Sequence, residues 1–281
     1  MKRILHPTDF SENASKALKF AYALAQKLNG ELFLLHVSDV PTFMNSSSFT
    51  SFSEIMEVKK ESIIKQLGNY CTDILGDNCA TSSIKYKATL DSSVTKGILE
   101  ACSEINADFI VMGTKGESTI KELVLGSTTK KLAVHADCPV FAIPGNSIPG
   151  KINSITYASD FDKNDSGIIA KLVPLAELYN SNITILHIFD SPLNNDSKID
   201  AFKQQDAELF KNTRIIFDSR VSENILESIS NFVQVNKTDL LAIYERENGS
   251  LFEKLFHKDI AKQFSTHTTV PLLIYNRLNS K

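Results

Sequence analysis

Short apolar runs alternate with helical stripes along the first half of the chain. The runs predict five strands, at residues 3–6, 31–37, 84–88, 109–112 and 140–143. Apolar residues recur at helical spacing after Ser11, a typical N-cap, and Asn29-Gly30 is typical of a helix end. Further helices are predicted near 54–75, at 92–105 and after Gly126. Strands separated by helices indicate an α/β fold with a parallel, doubly wound sheet.

The second half of the chain repeats the first. Leu5–Ser11 recurs as Thr156–Asp162, and Leu35–Asp39 recurs as Leu186–Asp190, in both cases 151 residues later. Such self-similarity indicates two copies of one structural unit.

Later matches have a smaller offset. Ala107–Val111 matches Thr238–Ala242 131 residues on, and Cys138–Val140 matches Val270–Leu272 132 residues on. The second copy is thus about 20 residues shorter in its middle. We place the surplus of the first copy in a polar loop at residues 42–53.

We predict two tandem domains, residues 1–146 and residues 151–281, divided by a segment of prolines and glycines at 144–150. Each domain is predicted to be a five-stranded, Rossmann-like parallel sheet. A length of 281 residues suits two domains of roughly 150 residues, each large enough to bury a core.

The composition is that of a soluble globular protein, with 42% hydrophobic and 22% charged residues. A net charge of -3 gives no electrostatic reason to expect nucleic acid or an anionic membrane as a partner. No apolar run approaches the roughly 20 residues that cross a bilayer, and Met1-Lys2-Arg3 leads directly into a strand. We therefore expect a cytoplasmic protein without a membrane segment.

The four cysteines, Cys71, Cys79, Cys102 and Cys138, match neither a paired zinc site nor a dense disulfide framework. We expect buried or idle thiols. The six histidines are scattered or lie within predicted strands, which favours structural roles over zinc binding. No metal site is predicted from the protein's own side chains.

A glycine loop links the fourth strand of the first copy to its last helix. Met112-Gly113 ends the strand, Gly116 lies in the loop, and Gly126-Ser127-Thr128 begins the helix. Glycines let backbone N–H groups approach phosphate oxygens, and a helix N-terminus offers unpaired N–H groups and a favourable dipole. A bare turn is the competing interpretation. Lys115 is either a phosphate contact or a solvated lysine.

Two more candidates fall at strand ends on the same edge of the sheet. Ligands of open α/β sheets bind beyond the carboxyl ends of the strands. Asp9 can accept a hydrogen bond from an adenine amino group or a ribose hydroxyl, and Val37 can flank a base through its backbone and side chain. The alternative for Asp9 is a cap of the helix that starts near Ser11.

These residues resemble the universal stress proteins, in the ATP-binding branch of that family. The resemblance covers nearly all of the first copy, in the segments Ile4–Ser11, Leu34–Val37, Ala107–Gly113 and Cys138–Val140 and in the glycine spacing G-x2-G-x9-G-S. It implies a five-stranded parallel sheet, similar to that of the adenine nucleotide alpha hydrolases, with ATP bound at its edge.

The resemblance also implies the ligand contacts. These are Asp9 and Val37 at the base, and Met112, Gly113, Gly116, Gly126, Ser127 and Thr128 at the ribose and the phosphates. AMP is the alternative ligand, and Mg²⁺ is expected to accompany a triphosphate because it offsets clustered negative charge. No catalytic residue is predicted.

Two departures from the family pattern stand out. Ala88–Asp91 replaces a Gly-x-Pro in the first copy, which puts the shape of that loop in doubt. The second copy keeps Asp160 and Ile188 but has no glycine loop: Tyr244, Glu247, His257 and Lys258 stand opposite Gly113, Gly116, Gly126 and Ser127. We predict that the second copy binds no ATP.

Family members pair through their last strands, here 140–143 and 272–275, and a tandem chain can form that pair internally as a pseudo-dimer. A homodimer of the whole chain is a further expectation. The sequence favours a non-enzymatic, nucleotide-dependent stress-response module. A phosphoryl-transfer enzyme needs a metal-holding carboxylate and a group that positions the nucleophile, and the sequence identifies neither. The alternatives are a nucleotide-free scaffold and an ATP-hydrolysing or adenylyl-transfer enzyme.

Overall fold

The computed structural model has an α/β architecture. It describes residues 1–40, 49–80, 83–114, 125–161, 164–189, 195–205, 207–211, 214–245 and 270–280. In these ranges the strands are β1 Arg3–Pro7, β2 Glu31–Ser38, β3 Ile84–Leu90, β4 Phe109–Gly113, β5 Val140–Ile143, β6 Ser154–Ala158, β7 Asn182–Phe189, β8 Ile215–Val221, β9 Leu240–Glu245 and β10 Leu272–Asn276. The α-helices are α1 Glu12–Lys27, α2 Phe49–Leu75, α3 Val94–Ile105, α4 Ser127–His135, α5 Asp165–Tyr179, α6 Asn195–Gln205 and α7 Ile225–Val235.

All these strands form one sheet, in the order β3-β2-β1-β4-β5-β10-β9-β6-β7-β8. Strands β1–β5, the first repeat, are mutually parallel, and so are β6–β10, the second repeat. The two repeats join where β5 and β10 pair antiparallel, with Phe141 opposite Leu273. The doubly wound topology and the pairing of the two last strands are both as predicted.

Helices cover both faces of the sheet, so its central strands are buried on both sides. In β1, Ile4 packs in the core that α1 and α2 close, whereas its neighbour Leu5 packs in the core that α3 and α4 close. Both side chains are fully buried. This explains why central strands such as β4 and β5 are continuous apolar runs, whereas the edge strand β3 alternates apolar residues with Lys85 and Lys87.

The repeat offsets read from the sequence agree with the strand registers. Ile4 pairs with Leu32 in the first repeat, and the residues 151 positions later, Ile155 and Ile183, pair in the second. The left-handed residue Phe10 (φ 63°) likewise recurs as Phe161 (φ 56°). The backbone therefore repeats in detail, whereas the division into domains 1–146 and 151–281 stays a prediction.

The predicted surplus loop of the first repeat is partly wrong. Helix α2 begins at Phe49 and is 27 residues long, whereas its counterpart α6 has 11. Residues 49–53, assigned to a polar loop because of their serines, are therefore helical, and residues 41–48 lie outside the described ranges. From Ile63 onward α2 buries side chains over β3, whereas residues 53–58 are mostly exposed. Serine disfavours a helix only weakly, so a serine-rich stretch does not exclude one.

The prediction of idle thiols is wrong for one pair of cysteines. Cys71 and Cys79 form a disulfide, with their Cα atoms 5.9 Å apart. Gly76, at φ +60°, reverses the chain after α2 and lets the short 3-10 turn Gly76–Ala80 run back towards Cys71. Cys102 and Cys138 are free and buried, as expected. The spacing of Cys71 and Cys79 along the sequence did not indicate a disulfide, because the disulfide depends on this turn.

His6 lies in β1, in the interior of the first repeat. It is fully buried, and its Nδ1 donates to the carbonyl oxygen of Val111 at 2.9 Å. Burial disfavours the imidazolium and lowers the pKa of His6 from 6.5 to about 4. The second repeat has Tyr157 at this position, which donates to the buried Asp165 at 2.9 Å.

We expect His6 to make the protein less stable as the pH falls. Since the pKa is lower in the folded state, the unfolded chain takes up the proton first, and stability present above pH 6.5 is lost as the pH falls towards 4. The loss is at most about 3 kcal/mol. Urea unfolding of the wild type and of His6→Leu at pH 7.5, 5.5 and 4.5 measures it. Identical pH dependence of the two proteins would contradict the assignment.

Candidate nucleotide-binding site

The turn between β1 and α1 is held in an unusual backbone conformation. Phe10 is left-handed, which costs on the order of 1 kcal/mol for a residue with a side chain. Three contacts maintain it: its N–H donates to Thr8 Oγ1 at 3.0 Å, its ring lies 4.6 Å from that of His36, and His36 Nδ1 donates to the Thr8 carbonyl oxygen at 2.8 Å. The turn fixes the direction of Asp9, which lies within it.

Asp9 is exposed at this turn, at the carboxyl end of β1. Its Oδ1 accepts the N–H of Ser11 at 3.0 Å, and Ser11 in turn caps α1 by accepting the N–H of Ala14. Partial burial of Asp9 opposes ionisation, but the hydrogen bonds with Ser11 outweigh it and lower the pKa of the carboxyl group. Ser11, not Asp9, is the N-cap, and the ionised carboxylate remains exposed to a ligand.

Val37 is more deeply buried than contact with a base would require. It is 8% exposed, and its side chain fits against Gly97 of α3: a Cβ added to Gly97 would come within 2.8 Å of Val37 Cγ1. The apolar side chain therefore belongs to the core between β2 and α3. Of the two contacts predicted for Val37, the one through its backbone is the more compatible with this burial.

Gly113 ends β4 and lies against the first turn of α1. A Cβ on this residue would come within 2.6 Å of the Asn13 carbonyl oxygen and 3.2 Å of the Ala14 nitrogen. Met112 precedes it and is half-buried. Packing against α1 alone therefore requires a glycine at position 113, independently of any phosphate. This contact also brings the end of β4 next to the helix that follows Asp9.

Helix α4 begins without a side-chain cap. Gly126 is its N-cap, with extended backbone (φ -63°, ψ 160°), and as a glycine it has no side chain that could accept a hydrogen bond from the first turn. Ser11, Ser93 and Asn224 cap α1, α3 and α7 with their own side chains, whereas Asn164 of α5, like Gly126, makes no side-chain cap. The first N–H groups of α4, which have no acceptor within the helix, point beyond the carboxyl edge of the sheet, since α4 connects the end of β4 to the start of β5.

The predicted contact residues are only partly described. Ser127 is exposed and Thr128 is half-buried in the first turn of α4. Lys115 and Gly116 lie outside the described residues. Asp9 precedes α1, and Gly113 packs against the first turn of that helix. Gly126, Ser127 and Thr128 lie at the start of α4, at the same edge of the sheet.

The second repeat keeps one part of this arrangement and changes another. Phe161 stacks on His187 at 4.4 Å, and His187 donates to the Ser159 carbonyl oxygen at 2.6 Å, as in the first repeat. At the position of Gly113, however, Tyr244 is buried, and Asn164 Nδ2 donates to its hydroxyl oxygen at 3.4 Å. A phenol ring therefore fills the place where a glycine lets β4 approach α1.

Further side chains distinguish the second repeat. Asp165, fully buried at the position of Ala14, accepts from Ser159 Oγ at 2.5 Å, and Glu245 is buried at the position of Thr114. Both acidic groups lie near the strand end where the first repeat has uncharged residues. Glu247, His257 and Lys258, the other predicted obstacles, lie outside the described ranges.

The replacement of Gly-x-Pro by residues 88–91 does not disturb the start of α3. Strand β3 continues to Leu90, and Asp91 then accepts the N–H of Ser93, the N-cap of α3, at 2.7 Å. Lys96 pairs with Asp91 at 3.2 Å. An aspartate hydrogen bond thus begins α3 where the family often has Gly-x-Pro.

Sequence patterns alone did not identify Thr8, Phe10 and His36 as residues of the site. They determine the turn that carries Asp9, and their recurrence as Ser159, Phe161 and His187 was the signal available. Among the described residues, no cluster of three or more His, Cys, Asp or Glu side chains could hold a metal ion. None of the helices in those ranges has the length and apolar character needed to cross a bilayer.

Fold and site together define a tandem α/β protein with two doubly wound, parallel half-sheets. Its architecture is similar to that of a universal stress protein from Archaeoglobus fulgidus, with 17% identity, a TM-score of 0.66, and coverage of 98% of this chain and 96% of that one. This likeness establishes the fold.

The family follows from the sequence comparisons. The profile of the universal stress protein family matches residues 1–144, and the chain belongs to this family. Two universal stress proteins of Methanocaldococcus jannaschii are similar to half of the chain. One is 28% identical over 143 residues, 81% of its length, and the other is 27% identical over 154 residues, 94% of its length.

We predict opposite effects for two glycine substitutions. Gly113→Ala should destabilise the protein by about 2 kcal/mol, because the new methyl group overlaps the Asn13 carbonyl group. Gly68→Ala, within α2 and with nothing within 4 Å of its added Cβ, should stabilise it by about 1 kcal/mol. Urea unfolding without nucleotide measures both. Equal stability of Gly113→Ala and the wild type would show that α1 does not constrain position 113.

Proposed function

We propose that the first repeat binds an adenine nucleotide, ATP or AMP, and that the chain acts as a non-enzymatic, nucleotide-dependent stress-response module. The base and ribose would lie near Asp9 and Val37. The ribose and phosphates would contact Met112, Gly113, Gly116, Gly126, Ser127 and Thr128, with Mg²⁺ accompanying a triphosphate. The proposal assigns no catalytic residue.

The uncapped start of α4 is the observation that carries this proposal. Gly126 supplies no side-chain acceptor, so the N-cap residue itself does not satisfy the N–H groups of the first turn, which an anion could accept. The positive end of the helix dipole favours negative charge at the same place. Ser127 and Thr128 add hydroxyl groups beside it.

The β1–α1 turn supports the position of the other end of the ligand. Asp9 is exposed, ionised and held by a turn with little freedom, so binding would cost little ordering of this residue. Contact between Gly113 and Asn13 places this turn near the end of β4. Membership of the universal stress protein family supports a nucleotide as the ligand.

We also propose that the second repeat binds no nucleotide and supports the first as the other half of an internal pseudo-dimer. The buried Tyr244 and Glu245 favour this, since an aromatic ring and a carboxylate stand where the first repeat has Gly113 and Thr114. Native mass spectrometry with added ATP should then show one nucleotide per chain. Two nucleotides per chain would contradict the proposal.

A single carboxylate at the start of α4 tests the phosphate contact. Ser127→Glu should weaken ATP binding at least about tenfold through charge repulsion, while adenosine, which has no phosphate, should bind as before. A carboxylate in the first turn of a helix is favourable by about 0.3–1 kcal/mol, so the fold should not be weakened. Isothermal titration with each ligand, together with thermal unfolding, measures this.

Lys85→Gln is the matched control for this test. It changes the net charge by the same amount at an exposed position near the amino end of the edge strand β3, at the end of the sheet opposite to the proposed site. ATP binding should remain within about twofold of the wild type, since exposed charges at a distance are screened by salt. Unchanged ATP binding in Ser127→Glu would place the phosphates elsewhere.

Released nucleotide distinguishes the proposal from its alternatives. Denaturing the purified protein should release an adenine nucleotide, and Gly116→Glu, which copies Glu247 of the second repeat, should abolish this release. If no nucleotide is released and none binds on addition, the chain is a scaffold. Multiple turnovers that depend on a second substrate would identify an enzyme instead.

A further inference from the structure

The second repeat reaches the last helix of the first repeat through its C-terminal turn. Because β10 is antiparallel to β5, with Ile274 opposite Val140, the carboxyl end of β10 lies at the amino end of β5. Helix α4 ends at His135, just before β5 begins. Asn276, the last residue of β10, therefore lies beside the C-terminus of α4.

Asn276 uses its whole carboxamide in this position. It is 1% exposed, and its Nδ2 donates to the carbonyl oxygens of Ala133 at 2.9 Å and Ala136 at 3.0 Å. Its Oδ1 accepts the N–H groups of Leu278 at 2.8 Å and Asn279 at 3.2 Å. The last carbonyl groups of a helix have no donor within that helix, so Asn276 completes the C-terminus of α4.

Asn279 strengthens the same contact. Its Nδ2 donates to the Ala136 carbonyl oxygen at 3.2 Å, and its Oδ1 accepts the N–H of Asn276 at 2.9 Å. On the other side, Lys171 Nζ of α5 donates to the Asn279 carbonyl oxygen at 2.8 Å. Residues 276–279 thus link α5 of the second repeat to α4 of the first.

The first repeat has no equivalent residue to offer in return. The position 132 residues before Asn276 is Pro144, which has neither a carboxamide nor a backbone N–H. In the part of the chain that the structure describes, the hydrogen-bonded cap runs from the second repeat to the first. The helix that receives it is the one whose start forms the proposed phosphate site.

We infer that Asn276 is a positioning residue for the phosphate site. By fixing the C-terminus of α4, it determines where Gly126, Ser127 and Thr128 present their N–H groups. Helix α4 has nine residues and is about 14 Å long, so a shift at one end reaches the other with little loss. A misplacement of about 1 Å is enough to impair a binding geometry. The inference rests on the proposed nucleotide site.

Asn276→Asp is the most direct test. It keeps the shape and an acceptor for the turn but replaces the donor by an oxygen that repels the carbonyl groups of Ala133 and Ala136. We expect the Kd for ATP to rise about tenfold, with the Kd for adenosine changing less than about twofold. Asn279→Ala, which removes one donor, should raise the Kd for ATP about threefold if Asn276→Asp does not fold.

Thr238→Val is the matched control. It removes the 2.7 Å hydrogen bond between the buried hydroxyl groups of Thr238 and Thr156, in the same repeat but away from α4. Thermal unfolding should show a loss of stability in Thr238→Val, whereas the ratio of its two Kd values should stay that of the wild type. A merely structural role of Asn276 would give the same unchanged ratio.

Amide hydrogen exchange without nucleotide separates this inference from the proposed function. In Asn276→Asp, exchange should accelerate in α4 but not in α1, and unchanged exchange in α4 would overturn the inference. Faster exchange with an unchanged ratio of Kd values would overturn it as well. If the wild type bound no ATP, the proposed function would fail, and the positioning role would fail with it even where α4 exchange showed that Asn276 holds the helix.

Discussion

The antiparallel pairing of β5 with β10 is the interaction on which the molecule depends. All four residues of β5 are buried, and so are all five of β10, so neither strand could remain an open edge without leaving backbone N–H and C=O groups unpaired. Each half-sheet supplies hydrogen-bond partners for the last strand of the other. Side chains of both repeats then share one core, in which Leu125 and Ala133 lie with Ile229 and Phe232. The position of α4 follows from this pairing.

The sequence predicted the α/β class, the strand sequence and the repeat, because buried parallel strands and amphipathic helices leave local patterns. It failed in two places. The start of α2 at Phe49 was missed because a serine-rich stretch is only weak evidence for a loop, and the Cys71–Cys79 bridge depends on a left-handed Gly76. Neither is encoded in hydrophobic spacing. The end of α2 at Leu75, by contrast, is where the sequence predicted it.

The positions of the candidate site were proposed from the sequence, but the packing of the side chains at those positions was not predicted. Gly113 was expected for phosphate approach, yet contact with Asn13 already requires a glycine there. Val37 was expected beside a base, yet its side chain packs against Gly97. Asn276 carried no signal, because its partners Ala133 and Ala136 lie about 140 residues away and meet it only through the register of two strands. The long-range register of two strands cannot be read from a single sequence.

Joining two repeats in one chain also changes how they can diverge. In a symmetric homodimer every substitution occurs twice, so a tyrosine at the phosphate loop would disable both sites, and an asparagine that caps the partner helix would appear on both sides. A covalent tether removes this symmetry and keeps the partner at an effective concentration on the order of millimolar. Tyr244 and Asn276 are substitutions of this kind: each alters one repeat only. In a tandem chain one repeat can therefore acquire a side chain that fills a strand end or caps a helix of its partner without changing the other repeat.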